Sequence, residues 1–224
     1  LLEDNADNER YMIYLMARKK YGAIPDLNAD KTQLKRIMCH KKDIISSLEQ
    51  LEIPLGKWKM GTTPIPQENL VVYIQPNLRS LQKATKALIP KLIDGLVDNG
   101  NLNAKSLFYN CLQVSPAKKK WTILDVDPSG EDVLNSRALF IDLNRVIPHI
   151  NSSNTTYVPI QTKNGYHILV DNKTASLVHK LWYTYLQALD PKDNRNKNYS
   201  LTITSDNMCA IPGTTQGGFT PILK

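Results

Sequence analysis

Two aspartates one residue apart, Asp125 and Asp127, end a run of strand-forming residues, WTILDVD at 121–127. Side chains alternate along a β-strand, so both carboxylates project from one face, together with Ile123. Their mutual repulsion is most readily relieved by a divalent cation. Oxygen ligands suit Mg²⁺ or Mn²⁺, which share their shell with water and substrate phosphates. The pair is a candidate metal site, and the alternative is a solvated strand end before a turn.

A second candidate lies in QTKNGYH at 161–167, where Asn-Gly predicts a tight turn between two strands. Lys163 and exposed backbone amides at such a turn could contact phosphates, and His167 could contact a nucleotide. The alternative is an ordinary hairpin turn followed by a strand histidine. If the strand of His167 lies beside the aspartate strand, its imidazole and the two carboxylates converge on one face.

A third carboxylate, Asp206, falls at the start of the last predicted strand, within SDNMCAIPGTTQGG at 205–218. We expect it to complete the metal site, with Asp171 as a weaker alternative. The glycine-rich tail is either a loop over the substrate or a connector, and it lacks the GxxxxGK[ST] pattern of a P-loop. Arg79, just after an earlier strand, is a candidate phosphate contact or a surface charge.

The elements that must position these residues follow a β-α-β-β-α-β order from residue 121 onward. This is the split unit of ferredoxin-like and RNA-recognition-motif folds, so the fold class is predicted as α+β. In that fold the first and third strands are central neighbours and the second and fourth lie at the edges. Pro159 in the second strand suits an edge, because it has no N–H to donate. The two helices are predicted over 131–147 and 174–189.

The region before residue 121 is predicted to begin with helices. Apolar residues at helical spacing, such as Met12, Leu15 and Met16, indicate helices within 9–52. A strand at 69–77 and a helix to residue 96 follow as a βα unit, and Pro90 is expected to kink or interrupt that helix. A further helix is predicted over 101–114.

The segment 53–68 is rich in proline and glycine and is the best candidate for a domain boundary, placed near residue 66. The predicted division is an N-terminal helical region with linker at 1–66 and a catalytic core at 67–224. The chain does not begin with Met, and we expect it to be part of a longer protein.

Composition favours a globular protein in a reducing compartment. Hydrophobic residues make up 42% of the 224 residues, and no apolar run reaches the roughly 18 residues of a membrane span. The three cysteines are far apart and form no CxxC pair, so we expect a cytoplasmic location and no membrane association. The net charge of +7 comes largely from basic runs at 18–20, 41–42 and 118–120, which favour a polyanionic partner or are simply solvated surfaces.

The DxD strand, the T-x-N-G-x-H segment and the later Asp before IPGT together resemble the three motifs of the archaeo-eukaryotic primase superfamily, the primase-polymerase group of plasmids and phages. The resemblance covers about residues 69–224 by order and spacing. It implies that Asp125, Asp127 and Asp206 bind divalent metals and that His167 contacts the phosphates of an incoming nucleotide. The third motif departs from the pattern, because Asp206 stands between Ser205 and Asn207, and the zinc module of many relatives is not visible.

The resemblance implies a template-dependent nucleotidyltransferase that joins nucleoside triphosphates with Mg²⁺ or Mn²⁺ as cofactor. The expected partners are single-stranded DNA template, nucleoside triphosphates and a replicative helicase. One alternative is a non-catalytic nucleic-acid-binding module, although such sheets usually present aromatic residues where this strand has aspartates. The other alternative is a metal-dependent nuclease.

Overall fold

The structure of the chain is a computed structural model that describes residues 2–22, 29–52, 58–97, 102–128, 157–178, 199–204 and 208–224. Within these ranges the fold is mixed α+β, with two main antiparallel sheets and few helices. The strands are β1 (Glu9–Arg18), β2 (Lys31–Cys39), β3 (Lys59–Met60), β4 (Thr63–Pro64), β5 (Leu70–Ser80), β6 (Trp121–Pro128), β7 (Tyr157–Gln161), β8 (Tyr166–Asp171), β9 (Tyr199–Thr204), β10 (Cys209–Ala210) and β11 (Ile222–Leu223). The helices are α1 (Ile44–Glu52), α2 (Leu81–Val97), α3 (Ala104–Gln113) and α4 (Asn172–Val178).

Two sheets organise these strands. The first sheet has the strand order β10-β5-β1-β2, and the aspartate sheet has the order β11-β7-β8-β6-β9. Strands β3 and β4 form a separate small hairpin. Strand β9 belongs to the aspartate sheet, whereas β10, the next strand along the chain, belongs to the first sheet.

The prediction of helices over 9–52 is wrong for most of that region. Residues 9–18 and 31–39 form β1 and β2, which pair antiparallel, and among the described residues of this region only α1 is an α-helix. The reason is that β1 is buried on both faces from Tyr11 to Arg18. A strand covered on both sides is apolar without alternation, so its apolar residues also fit a helical spacing by chance.

Apolar side chains cover both faces of β1. One cluster includes Ile13 and Leu15 and reaches Ile123 and Leu169 in the aspartate sheet, so the two sheets share a core. The other cluster includes Met12 and joins β1 and β5 to helices α2 and α3. The first sheet is therefore a middle layer between the aspartate sheet and two helices.

Several other predicted elements are confirmed. Strand β5, helix α2 and helix α3 form where they were expected. The expected interruption at Pro90 is wrong, because α2 runs from Leu81 to Val97 through it, and a kink there stays a prediction. The division of the chain near residue 66 stays a prediction, although β1 and β5, on either side of it, are paired in one sheet.

The aspartate sheet has the expected central strands. Strand β6 lies between β8 and β9, and β7 follows β8. The expected edge position of β7 is wrong, because β11 pairs with its Ile160 and Gln161. The helix predicted over 131–147 lies outside the described residues, and the one predicted over 174–189 is described only as α4. None of the helices in the described ranges has the length and apolar character needed to span a membrane.

Candidate functional site

The centre of the candidate site is the pairing of β6 with β8. These strands run antiparallel, and their register places Asp125 directly opposite His167. Oδ1 of Asp125 lies 3.4 Å from Nε2 of His167. Asp127, two residues further along β6, is exposed and lines the same pocket. The predicted convergence of these three side chains is therefore present.

A hydrogen bond from the first sheet fixes the orientation of the His167 ring. The backbone N–H of Ala210, in β10, donates a hydrogen bond to Nδ1 of His167 at 3.0 Å. Because Nδ1 accepts this bond, the proton of a neutral imidazole is on Nε2, the nitrogen that faces Asp125. The histidine is buried at 7% relative exposure, so this tautomer is held in a largely desolvated setting.

The carboxyl group of Asp125 is held in its ionised form by its neighbours. Burial alone would raise its pKa, but the hydrogen bond and charge of His167 and the positive charges of Lys31 and Lys20 outweigh burial. The net result is a pKa below the ordinary aspartate value. The carboxyl group of Asp125 is therefore ionised at neutral pH.

A group of cations from the first sheet faces the two aspartates across the pocket. Arg18 ends β1, Lys20 lies in the 3₁₀ turn Lys19–Tyr21, and Lys31 begins β2. Although Lys31 is exposed, loss of surrounding water and the positive charge of Arg18 lower the pKa of its ammonium, and Asp125 acts against them. This crowding of positive charge favours an anionic ligand.

Arg18 is the anchored member of this group. Its NH1 donates to the hydroxyl of Tyr73 at 2.9 Å, and its NH2 pairs with Oδ2 of Asp30 at the same distance. The arginine side chain is only 8% exposed, whereas that of Asp30 is 51% exposed. The guanidinium is therefore fixed at the pocket wall before any ligand arrives.

The pocket enclosed by these groups has a volume of about 100 Å³. It lies where β6 and β8 of the aspartate sheet meet the ends of β1 and β2. Acidic side chains form one wall and basic side chains the other. It is lined by Arg18, Lys20, Tyr21, Lys31, Tyr73, Asp125, Asp127, Thr162, Asn164, His167, Met208 and Gln216.

The predicted Asn-Gly turn is confirmed and forms the rim of the pocket. The N–H of Thr162 donates to the carbonyl of Gly165 at 2.8 Å. The ammonium of Lys163 lies 4.6 Å from the ring centre of Tyr21 and donates to the carbonyl of Gly217. Lys163 therefore connects the turn to Gly217 and to Tyr21, and Tyr21 lines the pocket.

Lys163 is not one of the residues that line this pocket, and two other candidates from the sequence are also not brought to it. Arg79 is fully buried in β5, and its NH1 donates to the carbonyl of Gln113 at 2.9 Å. Asp171 lies opposite Trp121, at the far end of β6, and its Oδ1 accepts the N–H of Lys173 at the start of α4. Asp171 is therefore excluded as a ligand shared with Asp125.

The third expected carboxylate, Asp206, lies outside the described residues. The described residues on either side of it, β9 and Met208, belong to the pocket region, since β9 pairs with β6 and Met208 lines the pocket. Among the described residues no group of three or more His, Cys, Asp or Glu side chains is arranged to hold a metal ion. The completion of the metal site by Asp206 thus stays a prediction.

The cationic wall of the pocket, formed by Arg18, Lys20 and Lys31, was missed by sequence reasoning. The run at 18–20 was noted only as a basic cluster, because the misassigned β1 and β2 hid its position beside the aspartates. A usable signal was present: ERYMIYLMAR is rich in aromatic and aliphatic residues and ends abruptly in charge, which is typical of a buried strand.

Comparison with known proteins identifies no relative of this chain. No family model, no curated protein and no solved structure matches it. A proposal about its function therefore rests on the geometry of the pocket.

Proposed function

We propose that the chain is a template-dependent nucleotidyltransferase of the primase-polymerase type, which joins nucleoside triphosphates with the help of a divalent cation. The observation that carries this proposal is the pocket in which Asp125 and Asp127 face three cations, Arg18, Lys20 and Lys31. A nucleoside triphosphate with its bound cation matches both walls, because the cation meets the carboxylates and the phosphates meet the basic groups.

The donor set fits Mg²⁺ or Mn²⁺. Asp125 and Asp127 present carboxylate oxygens from the same side of one strand, and the lowered pKa of Asp125 keeps that group ionised. These two residues would hold the cation, with Asp206 as the expected third ligand. When bound, it would supply neutralisation of phosphate charge and activation of a hydroxyl nucleophile.

The remaining groups act on the phosphates. Arg18, already fixed by Asp30 and Tyr73, holds phosphate oxygens without a large ordering cost. Lys20 and Lys31 add positive charge where the pyrophosphate leaving group gains negative charge. His167 directs its Nε2–H to Asp125 and so holds that carboxylate in position beside the phosphates.

We interpret the strand order β7-β8-β6-β9 as the sheet of a ferredoxin-like palm. In that topology the first and third strands are central, which corresponds to β6 and β8 here, and all neighbouring strands are antiparallel. The antiparallel pairing of β6 with both β8 and β9 supports this interpretation.

The test is nucleotide incorporation on a single-stranded DNA template with labelled nucleoside triphosphates and Mg²⁺ or Mn²⁺. The variant Asp125→Asn/Asp127→Asn is expected to lose at least about a hundredfold in incorporation, because it removes both direct ligands. The control is Asp7→Asn/Asp94→Asn, which changes two exposed aspartates away from the pocket. A second readout is Mn²⁺ binding by electron paramagnetic resonance.

Three outcomes contradict the proposal. Undiminished product in the pocket variant would show that these carboxylates are not the site. Template degradation without incorporation would assign the pocket to a nuclease. Template binding with neither turnover nor dependence on a divalent cation would assign the chain to a non-catalytic binding module.

A further inference from the structure

Two of the three basic runs come together at the end of β6 opposite the pocket. Lys120 precedes Trp121, the first residue of β6, and its ammonium pairs with Glu3 at 3.1 Å. Lys41 pairs with Asp4, the next residue after Glu3, at 2.9 Å. The runs at 41–42 and 118–120 are therefore neighbours through two consecutive acidic residues.

Two further lysines join this group from α2 and α4. The ammonium of Lys83 donates to the carbonyl of Pro116 at 2.8 Å, just before the run at 118–120. The side-chain amide of Asn172 donates to the carbonyl of Lys119 at 2.9 Å, which brings Lys173 to the same place. We call this group the lysine patch; it consists of Lys41, Lys83, Lys118, Lys119, Lys120 and Lys173.

The lysine patch is an exposed and unbalanced concentration of charge. All of its members except Lys120 are exposed. The acidic residues shown to contact it are Glu3, Asp4 and Asp171, and the last of these is engaged with the backbone at the start of α4. Six positive charges against three negative ones leave an excess of positive charge on this surface, which attracts a polyanion.

We propose that the lysine patch binds the phosphate backbone of a single-stranded nucleic acid. Trp121 and Asp127 are separated by six residues of strand, or about 20 Å, so the lysine patch is a site distinct from the pocket. Flexible lysines on loops and helix starts suit a backbone of variable shape, because they contact phosphates without reading bases. The inference does not depend on the proposed reaction.

The two acidic residues at the edge of the lysine patch compete with the nucleic acid. The carboxylate of Asp4 is 96% exposed while paired with Lys41, so this ion pair is weak and readily exchanged. A phosphate displaces the carboxylate and takes its place beside the ammonium. Glu3 and Asp4 therefore lower the affinity of the lysine patch for nucleic acid but do not prevent binding.

The experiment measures binding of a labelled oligothymidylate of about 20 nucleotides by fluorescence anisotropy, with EDTA and without triphosphate. The variant Lys118→Gln/Lys119→Gln/Lys173→Gln is expected to bind about tenfold more weakly, and its slope of log K against log salt is expected to fall by about 2 for three lost contacts. Because no divalent cation or triphosphate is present, failure of nucleotide incorporation has no bearing on this result.

The matched control is Lys59→Gln/Lys91→Gln/Lys105→Gln, three exposed lysines outside the patch. Both triple variants lower the net charge from +7 by 3, to +4. If both triple variants weaken oligonucleotide binding equally, the effect comes from the overall charge of the chain, and the proposal is wrong. Loss of binding to anionic phosphatidylserine vesicles with unchanged oligonucleotide binding would overturn it in favour of a membrane surface.

A change of opposite sign tests the competing acids. The variant Glu3→Gln/Asp4→Asn is expected to bind the same oligonucleotide about threefold more tightly, since it removes two charges that compete with phosphate. Asp7→Asn/Asp94→Asn is the control with the same change of charge. Equal gains in both variants would contradict the role of Glu3 and Asp4.

Discussion

The two ends of β6 carry opposite arrangements of charge. At the Asp127 end, the key cation, Arg18, is buried and fixed by two partners on the pocket wall. At the Trp121 end, lysines stand exposed on loops and helix starts, and their ion pairs are at the surface. Under the two proposals, the first end holds one small anion in a fixed position, and the second holds a long flexible one.

The largest difference between the two ends is expected in stability. Arg18→Gln should lower the free energy of unfolding by about 3 kcal/mol, because it removes two hydrogen bonds of a buried guanidinium, one to the Tyr73 hydroxyl and one to Asp30. Lys119→Gln at the other end should change it by no more than about 0.5 kcal/mol. Urea unfolding of both variants checks this, and equal losses would remove the distinction between a fixed and an exposed cation.

The exposed lysines nevertheless lie beside a strand end that is held in place. Asn77 in β5 accepts the N–H of Trp121 at 2.8 Å and donates to its carbonyl at 2.9 Å, so it pins the start of β6 to the first sheet. Asn77→Ala should cost about 2 kcal/mol in unfolding free energy, because buried backbone groups lose their partner. Asn103→Ala, which removes only the cap of α3, should cost about 1 kcal/mol. A smaller loss for Asn77→Ala than for the cap variant would mean that the Trp121 end is not pinned.

Two glycines differ in how closely their backbone is packed, and Gly217 lies against Tyr21 at the pocket end. A Cβ at Gly217, where φ is +58°, would lie 2.6 Å from the Tyr21 ring, whereas a Cβ at Gly213, where φ is +85°, has no neighbour within 4 Å. Both Ala variants carry the cost of a positive φ, so Gly217→Ala should exceed Gly213→Ala by about 1 kcal/mol from the overlap alone. Thermal unfolding of the two variants measures the difference, and equal transition temperatures would show that Tyr21 is not packed against this turn.

The smallest expected effect is a pH dependence from Asp125. Because its pKa in the folded chain is lowered, its ionised form contributes stability that is complete above the ordinary value of 3.8 and is lost as pH falls through the folded pKa. Asp125→Asn should therefore be less stable at pH 7 by under about 1 kcal/mol, and the gap should close below about pH 4. Urea midpoints at both pH values test this, and a constant gap would rule out the ionic contribution.

The aspartate sheet was largely predictable because its signals are local. The alternation in WTILDVD, the Asn-Gly turn at 164–165 and the strand beginning at Tyr166 together predict which residues face each other, and the register of Asp125 with His167 agrees. Arg79 shows the limit of such reasoning. A strand-end arginine is normally exposed, and its burial depends on how α3 packs against β5.

The first sheet was not predictable in the same way. Strand β1 is apolar on both faces because it is covered by the aspartate sheet on one side and by helices on the other, and residues 9–18 alone do not show which elements cover them. The position of Arg18 and Lys31 beside the aspartates depends on pairing between distant segments. The cationic wall is thus a tertiary property, for which the sequence supplies the residues but not the placement.

The amide proton of Ala210, which is donated to His167, reports on the docking of the two sheets. The amide belongs to β10 of the first sheet and its acceptor to β8 of the aspartate sheet, so this proton is protected only while the two sheets are docked. Its rate of hydrogen exchange therefore measures how often the sheets separate. A ligand that bridges the acidic and basic walls of the pocket would slow that exchange in proportion to its affinity, which makes the Ala210 amide a direct probe of ligand binding that requires no assay of turnover.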